Sequence, residues 1–455
     1  MTKKLLQDST SPSDSTDAST TFTTSTDITA DMVHTHRMGS VLEERRDPNF
    51  NSWTEIIPER VKHAAKGVVP IRGNKGSNIL GPDNPERAQQ SYSLVRPPVT
   101  DGGKMPNMKW SFTDSHMRLE EGGWARETTV RELGTSKEIA GVNMRLEAGA
   151  YRELHWHSEA EWAYILKGSC RMTVLDVEGG SYIDDLEEGD LWYFPTGYPH
   201  SIIGTGDEGT EFLLVFDDGN FSEDSTFLLT DYLARTPKDI LAKNFRIDAR
   251  TFDTLSQKEK YIFQGTVPGS LEADRKQVIQ SKHRFTHRLL QQKPIKFDGG
   301  EVRIVDSTNF PMSKTVAAAH VIINPGALRE MHWHPNADEW SFFISGKARV
   351  TIFASNGNAR TFNYQAGDVA VILKNHAHYV ENIGDDPVEM LEMFRAARFE
   401  DFSVEQWLAQ TPRLTVAEHM NLTGSRKEEF LNGLSKSPAA VKPPLKKSKS
   451  FNDAL

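Results

Sequence analysis

The stretch RELHWHSEAEWAYILKG, residues 152–168, places two histidines, three glutamates and one arginine among strand-forming residues. REMHWHPNADEWSFFISG, residues 329–346, repeats nearly the same pattern. Histidines two positions apart on a β-strand share one face, because strand side chains alternate between faces. A single histidine pair of this kind is more often an ordinary surface or core feature than a ligand pair. The rest of each repeat decides between these two interpretations.

The two stretches belong to a long internal repeat. GGWARETTVRELGTSKEIAGVNMRLEAGAYRELHWH, residues 122–157, aligns without a gap with residues 299–334, a shift of 177 positions. After one inserted residue the shift becomes 178, and it pairs His200 with His378 and Phe216 with Phe394. The chain is therefore a tandem duplication, and one fold is expected twice.

The pattern within each unit is that of short β-strands. CRMTVLDV and ARVTIFAS alternate apolar and polar residues, and turn sequences such as EGG, SNGN, GTGDEG and IGDD recur at short intervals. Many short strands separated by turns favour an antiparallel barrel or jelly roll. Helical patterns follow each unit, in STFLLTDYLA and FSVEQWLA. The sequence thus predicts an all-β fold with two tandem jelly-roll β-barrel domains, each followed by a small helical cap.

Composition sets the limits of the chain's organisation. Residues 1–66 form a largely disordered extension rich in Ser and Thr, residues 67–250 and 251–435 the two barrel domains, and residues 436–455 a disordered basic tail. A formal net charge of −10 argues against a nucleic-acid partner, and no apolar run is long enough to span a bilayer. The single cysteine, Cys170, excludes an internal disulfide, and the N-terminal residues lack the apolar core of a secretory signal. We expect a cytoplasmic location.

Each unit combines its histidine pair with a glutamate and a later histidine. Glu161 lies four residues after His157 and Glu339 five after His334, so a turn must absorb the extra residue. Three imidazoles and one carboxylate hold a divalent metal and leave positions for substrate, and this mixed set favours manganese or iron over zinc. Two copies of the set make coincidence improbable. The predicted metal ligands are His155, His157, Glu161 and His200 in the first unit and His332, His334, Glu339 and His378 in the second.

These spacings resemble a known pair of motifs. GAYRELHWHSEAEWAYILKG has the form of the first cupin motif, and GDLWYFPTGYPH has the form of the second. The second motif of the C-terminal unit departs from the pattern, with Leu373 in place of proline and Asn375 in place of glycine. His376 lies two residues before His378 and is an alternative ligand there.

From about residue 67 to 435 the chain resembles the bicupin oxalate decarboxylases, in stretches such as PIRGNKG, KYIFQGTVPGSL, ARTFNYQAGDV and HYVENIGDDP. The resemblance implies conversion of oxalate to formate and carbon dioxide, two Mn²⁺ ions per chain, dioxygen as a redox cofactor that is not consumed overall, and a homotrimer or homohexamer. One alternative is an oxalate oxidase or another metal-dependent cupin oxygenase. Another is a storage bicupin, but storage cupins generally lack the metal ligands that this chain keeps.

Arg152 and Arg329 lie three residues before the first histidine of each pair. Strict strand alternation would turn them away from the metal, which would make them surface arginines. The resemblance places both at the substrate, where a guanidinium holds a carboxylate through two hydrogen bonds. Their inward direction therefore predicts that the strand begins or bulges at this point.

FSEDSTF, residues 221–227, follows the first barrel, and its local pattern is that of a helix cap. The resemblance implies instead a mobile lid in which Glu223 takes a proton from the substrate and returns it, while the family commonly has Asn where this chain has Asp224. A timely proton favours formate over oxidation by dioxygen. The repeat also aligns Leu214 with Glu392, so only the second barrel has a carboxylate there. We predict the N-terminal site as the main catalyst, with Glu223 and Arg152 in catalytic roles and Glu392 as a possible second proton donor.

Overall fold

The repeat folds as two antiparallel β-barrels in a computed structural model that describes residue 82, residues 84–95 and residues 97–444. The predicted extension, residues 1–66, lies outside the described residues, as do residues 445–455 at the end of the predicted tail. The predicted all-β class with tandem barrels and helical caps is confirmed.

Between residues 109 and 288 the described chain forms thirteen strands. They are β1 Lys109–Ser111, β2 Met117–Glu120, β3 Gly123–Thr128, β4 Ala140–Leu146, β5 Ala150–Trp156, β6 Glu161–Leu175, β7 Ser181–Glu187, β8 Asp190–Phe194, β9 His200–Gly204, β10 Thr210–Phe216, β11 Phe227–Leu228, β12 Ile262–Gln264 and β13 Thr286–Arg288. The N-terminal barrel has the strand order β11-β5-β9-β6-β10-β4-β3-β2, with β12 on β5, β7 and β8 on β6, and β13 on β8. Because β6 is long enough to pair with both sides, it joins the two faces of this barrel into one sheet.

The described residues from 295 to 442 form twelve further strands. They are β14 Ile295–Phe297, β15 Gly300–Val305, β16 Ala317–Ile323, β17 Leu328–Trp333, β18 Glu339–Ser345, β19 Lys347–Ala354, β20 Asn358–Gln365, β21 Asp368–Ile372, β22 Ala377–Asn382, β23 Val388–Phe394, β24 Phe402–Ser403 and β25 Val441–Lys442. The C-terminal barrel consists of two sheets, β1-β21-β18-β23-β16-β15-β14 and β20-β19-β22-β17-β24, with β25 paired to β17.

Helices are short and lie mostly outside the barrels. Among the described residues two precede the first barrel, α1 Pro85–Gln90 and α2 Tyr92–Val95. The others described are α3 Leu229–Ala234, α4 Lys238–Phe245, α5 Leu271–Arg275, α6 Val404–Ala409, α7 Arg413–His419 and α8 Gly424–Gly433, with 3₁₀ turns at Phe112–Asp114, Glu223–Ser225 and Ala249–Phe252. Helices α3 and α4 cap the first barrel, and α6 to α8 follow the second, as predicted. In the part of the chain that is described, no helix has the length and apolar character needed to cross a membrane.

The segments that flank the barrels are exchanged between them. Strand β1 pairs with β21 of the C-terminal barrel, and the Tyr364 hydroxyl donates to the carbonyl of Met108. In return β12 and β13, which follow residue 250, pair with β5 and β8 of the N-terminal barrel. The predicted domain ranges, 67–250 and 251–435, therefore separate these segments from the barrels that they complete.

Residues 436–444, which the sequence assigned to a disordered tail, belong to the described fold. Val441 is fully buried in β25 and pairs with Arg329 of β17, while Lys442 pairs with Leu328. The start of a disordered tail at residue 436 is thus wrong for residues 436–444, because an apolar side chain in this Pro- and Lys-rich stretch completes a sheet edge.

Three large apolar clusters form the core of the described residues, and a small fourth one lies among the C-terminal helices. One cluster fills the N-terminal barrel around Met144, Ile165 and Phe212, and another fills the C-terminal barrel around Val321, Val350 and Phe362. A third cluster contains buried residues of both barrels, among them Trp162 and Trp340. The duplicated barrels therefore share a packed interface, which fixes the walls that carry the two sites.

Candidate metal centres and lid site

The first predicted quartet comes together inside the N-terminal barrel. His155 lies on β5 and His157 just after it, while Glu161 and His200 begin β6 and β9. All four are buried, and their ligand atoms lie within 4.8 Å of one another. The Nε2 atoms of His157 and His200 are 3.1 and 3.5 Å from Oε2 of Glu161.

Backbone carbonyls orient the three imidazoles of this quartet. Nδ1 of His155, His157 and His200 lies 2.6, 2.6 and 2.7 Å from the carbonyl oxygens of Glu153, Glu159 and Tyr198. A carbonyl only accepts, so each Nδ1 carries the proton and each Nε2 presents a lone pair to the centre. Oε1 of Glu161 accepts a hydrogen bond from the indole of Trp192 at 2.7 Å, which fixes the carboxylate.

The second quartet repeats this geometry in the C-terminal barrel. His332, His334, Glu339 and His378 are buried, with ligand atoms within 4.8 Å of one another. Each Nδ1 again faces a carbonyl oxygen, of Glu330, Glu400 and His376, at 2.7, 2.8 and 3.0 Å. The Ser341 hydroxyl holds Oε1 of Glu339 at 2.5 Å, in the role that Trp192 has in the first site.

The alternative ligand in the C-terminal barrel is settled by burial. His376 is only partly buried, whereas His378 is buried beside Glu339 and joins the other three ligand residues. Asn375, which replaces the usual glycine, has φ 65°, close to the φ of 76° at Gly197 in the first barrel. Asparagine tolerates this left-handed conformation, so the departure from the motif leaves the loop shape intact.

Both quartets have the electrostatics of cation sites. Burial alone would raise the pKa of the Glu161 carboxyl, but His200 and His157 hold that pKa far below its usual range. Burial, followed by the neighbouring Arg152, lowers the pKa of His155, and burial with Arg329 lowers that of His332, so both stay neutral. In the second quartet Nε2 of all three histidines and Oε2 of Glu339 are buried without a hydrogen-bond partner. Buried polar atoms are rarely left unpaired, so a divalent cation fits this donor set.

Arg152 points inward, as the predicted bulge requires. The pairing of β5 with β9 shifts register between Arg152 and His155, and β17 and β22 show the same shift between Arg329 and His332. Arg152 and Arg329 are buried to 2% and 1% exposure. The surface-arginine alternative is therefore excluded for both.

Glu223 lies directly on Arg152. Its Oε2 accepts from Nη2 of Arg152 at 2.9 Å and from the hydroxyl of Tyr261 at 2.8 Å. Arg152 also packs over the Tyr261 ring, with 4.1 Å from the guanidinium carbon to the ring centre. The lid that carries Glu223 is a single 3₁₀ turn, Glu223–Ser225, capped by Ser222. The predicted lid residue is thus placed beside the first quartet.

Tyr261 and Glu153 belong to this site, although the sequence did not single them out. Glu153 is buried next to Arg152 and accepts from the backbone N–H groups of Lys260, Tyr261 and Thr230 at 2.8, 2.7 and 3.0 Å. It thereby fixes β12 and the helical cap to β5. Tyr261 lies in the stretch KYIFQGTVPGSL that carries the family resemblance, so this stretch could have pointed to it. Nothing in the spacing of the sequence, however, connects it with Arg152.

The second site has a different set of acids around its arginine. Nη2 of Arg329 binds Oδ2 of Asp401 at 3.0 Å, and its Nε is 3.4 Å from Oε1 of Glu392. Burial raises the pKa of the fully buried Glu392, although Arg329 opposes the shift. Leu214, the repeat equivalent of Glu392, is an apolar residue of the first barrel's core. Asp401, in the sequence FEDFS at residues 399–403, was the other acid that the sequence analysis did not select.

The fold and these two centres define a metal-binding protein with two barrels, each built to hold one cation under a buried arginine. The sequence profile of the cupin family matches twice, over residues 112–253 and 287–428. An oxalate decarboxylase of Bacillus subtilis is 54% identical over 377 residues, covering 82% of this chain and 96% of that protein. A probable oxalate decarboxylase of Arthroderma benhamiae is 40% identical, covering 78% of this chain and 90% of its own length.

Solved structures agree with these relatives. A structure of the Bacillus subtilis oxalate decarboxylase, studied for its Mn(II) centres, has a TM-score of 0.80 and 53% identity, covering 83% of this chain and 100% of that chain. A second structure of an oxalate decarboxylase, which concerns substrate binding and a reaction specificity switch, also has a TM-score of 0.80 with 53% identity. The chain belongs to the cupin family and, within it, to the bicupin oxalate decarboxylases.

Proposed function

We propose that this protein is a manganese-dependent oxalate decarboxylase, a carbon–carbon lyase whose main site is in the N-terminal barrel. The observation that carries the proposal is the partly buried Glu223 carboxylate, held by Arg152 and Tyr261 beside the first quartet. The relatives named oxalate decarboxylase, whose lengths this chain covers almost completely, support the substrate and the reaction.

His155, His157, Glu161 and His200 would hold one Mn²⁺, and His332, His334, Glu339 and His378 a second. Neutral imidazoles with inward Nε2 atoms and one carboxylate per site support this assignment. When bound, manganese together with dioxygen supplies the one-electron chemistry that weakens the carbon–carbon bond of oxalate.

The residues of the chain then have separate roles. Arg152 binds one carboxylate of oxalate through its guanidinium and thereby orients the substrate. Glu223 takes the acidic proton of hydrogen oxalate at a carboxylate oxygen and returns it to carbon after the carbon–carbon bond breaks. Hydrogen oxalate thus yields carbon dioxide and formate, with all atoms accounted for. Tyr261 donates to Glu223 and fixes the direction of its carboxylate.

The second site is proposed to have a supporting or weaker catalytic role. Arg329 would bind a carboxylate there as Arg152 does, but its acidic neighbours are Asp401 and Glu392 instead of Glu223. Glu392 would be the group that donates a proton. The N-terminal site is favoured because its acid lies on a short surface turn that can move, whereas Glu392 lies within β23.

A homotrimer or homohexamer is also part of the proposal. Each barrel carries a similar aromatic patch on its outside. In the first barrel Trp156 is stacked on Phe227 and lies against the exposed Tyr232. In the second barrel Trp333 lies against Phe402 and the exposed Trp407. Exposed aromatic clusters of this kind mark protein contacts. Two similar but non-identical patches on one chain suit a head-to-tail ring in which one patch meets the other.

The test is to purify the protein, count its metals, and assay oxalate with simultaneous detection of formate and peroxide. We expect formate with substoichiometric peroxide and two manganese ions per chain, one for each quartet. Glu223→Ala should suppress formate and leave bound manganese nearly unchanged. Asp224→Ala, next to it on the same turn, is the matched control and should keep formate production.

Other outcomes would change the assignment. Stoichiometric peroxide from oxalate would make the protein an oxidase, and fully active protein without metal would remove the proposed centres. Unchanged formate production by Glu223→Ala would remove Glu223 from its role. The cytoplasmic location stays a prediction, for which fractionation of the source cells is the measurement.

A further inference from the structure

The lid is connected to the barrel wall by two residues that have no part in the roles described above. Oε2 of Glu127, on β3, accepts the backbone N–H of Glu223 at 3.3 Å. Its other oxygen, Oε1, accepts from Nη2 of Arg131 at 2.6 Å. The same Nη2 reaches the carbonyl oxygen of Phe221, at 3.5 Å. One carboxylate and one guanidinium thus contact the main chain on both sides of Ser222.

These contacts meet the lid where it leaves the barrel. The Phe221 ring is buried and stacked on Phe216, with ring centres 3.5 Å apart, and its edge faces His157. Phe221 therefore anchors the first residue of the lid. Within the described residues the rest of the turn has few attachments: the backbone N–H groups of Ser225 and Thr226 donate to the carbonyls of Ser222 and Glu223, and the buried Thr226 hydroxyl has no partner there. The bond from Glu127 therefore connects the catalytic turn itself to the barrel.

The internal repeat supplies an independent comparison. At the shift of 177 positions, Glu127 corresponds to Ile304 and Arg131 to Thr308. The second barrel, which has no equivalent lid glutamate, thus lacks both groups. The turn that carries them is otherwise retained: the Thr129 N–H donates to the Glu132 side chain, as the Asp306 N–H does to the Asn309 side chain, at 2.8 and 2.9 Å. The ion pair occurs in the barrel that has the lid.

We propose that Glu127 and Arg131 form a latch that holds residues 221–226 closed and so keeps Glu223 on Arg152 and Tyr261. They are positioning residues, because they contact the lid main chain and act only through Glu223. This inference rests on the proposed function for its effect on products: an open lid withdraws the proton donor and admits dioxygen, so the latch sets the ratio of formate to peroxide.

The first test measures the lid without substrate. Hydrogen exchange of a peptide covering residues 219–228 is compared between the wild-type holoenzyme and Glu127→Ala. We expect faster exchange in the variant, by about tenfold, which is the effect of losing one hydrogen bond to a charged group. Glu188→Ala, which removes the exposed Lys167–Glu188 pair away from the lid, should leave this peptide unchanged. Unchanged exchange in Glu127→Ala would overturn the latch.

The second test measures products in a double-mutant comparison. Glu127→Ala should lower the formate-to-peroxide ratio several-fold at unchanged manganese content, and Glu127→Gln, which keeps an oxygen for the Glu223 N–H, should fall between it and the wild type. In the Glu223→Ala background, Glu127→Ala should add nothing, because the latch acts through Glu223. An equal loss in that background would overturn the proposal. Should Glu127→Ala fail to fold, Arg131→Met provides the same comparisons, and unchanged exchange and products in that variant would overturn the latch.

These measurements separate the latch from the proposed function. If the wild type makes no formate from oxalate, the proposed function fails, while faster lid exchange in Glu127→Ala still supports the latch. If the wild type makes formate and Glu127→Ala matches it in both exchange and products, the latch fails and the proposed function stands.

Discussion

Arg152 and Arg329 occupy equivalent positions just before equivalent bulges, yet their acidic partners differ. Arg152 holds Glu223 on a surface turn at 2.9 Å, and Arg329 holds Asp401 at 3.0 Å. The side chain of Glu223 is 10% exposed and that of Asp401 is 34% exposed. The two copies therefore share the metal-ligand quartet and the arginine, but they differ in the acid that contacts the arginine.

The metal quartets were predictable because each is encoded by two short motifs whose spacing carries the geometry. Tyr261 was not, since it lies more than a hundred residues after Arg152 and reaches the site only through the pairing of β12 with β5. The choice of His378 over His376 needed burial, which no local pattern supplies. The residue types and their spacing thus predicted the metal-ligand quartets, whereas the residues around them could be identified only from the folded structure.

Replacing Tyr261 with phenylalanine should weaken the lid site without dismantling it. The variant loses one hydrogen bond to a charged acceptor, about 1 kcal/mol or more, so we expect formate production to fall about fivefold. Manganese content and Tm should be unchanged. Tyr182→Phe is the control, because that hydroxyl bonds Thr286 and Asp184 and does not touch Glu223. Equal activity in wild type and Tyr261→Phe would contradict the assigned role.

Each glutamate ligand should control its own metal. Glu161→Gln and Glu339→Gln replace an anionic ligand by a neutral amide, so each variant should lose one of the two manganese ions per chain when metals are counted by mass spectrometry. Glu161→Gln should also abolish most formate production, whereas Glu339→Gln should retain it. The reverse pattern of activities would place the main site in the C-terminal barrel.

Strands with a clear alternating pattern were predictable at the scale of single elements. The alternating stretches CRMTVLDV and ARVTIFAS form most of the second part of β6 and most of β19, both in the barrels. The short strands β1, β12, β13 and β25 were not predictable, because each is two or three residues long and pairs with a partner far along the chain. Such pairing depends on which sheet edges are still unpaired in the folded barrel, and the hydrophobic periodicity of a short segment does not predict this.

The last described strand should contribute to stability. Val441→Ala removes two buried methyl groups that pack against β17. The free energy of unfolding measured by denaturant titration should therefore fall by about 2 kcal/mol. Val177→Ala is the control, since Val177 is 83% exposed. A smaller loss at Val441 than at Val177 would show that β25 is dispensable.

The whole molecule presents its two aromatic patches on the outside of the barrels, and these should hold the assembly together. Trp407 is 61% exposed in the single chain, so Trp407→Glu should lower the mass measured by light scattering after gel filtration. Leu119→Glu, at an equally exposed apolar residue outside both patches, should leave the mass unchanged. An identical mass for Trp407→Glu would exclude this patch from the contact.

The crossing of β1 to one barrel and of β12 and β13 to the other has a consequence for synthesis on the ribosome. The N-terminal barrel cannot close its edges until residue 288 has emerged, and residues 109–111 must wait for β21, which is made more than two hundred and fifty positions later. The nascent chain therefore carries an early segment whose partner does not yet exist. Cutting the gene at residue 250 would produce two fragments, each lacking strands that the other contains. A single barrel that folds alone should therefore not be obtained by this truncation.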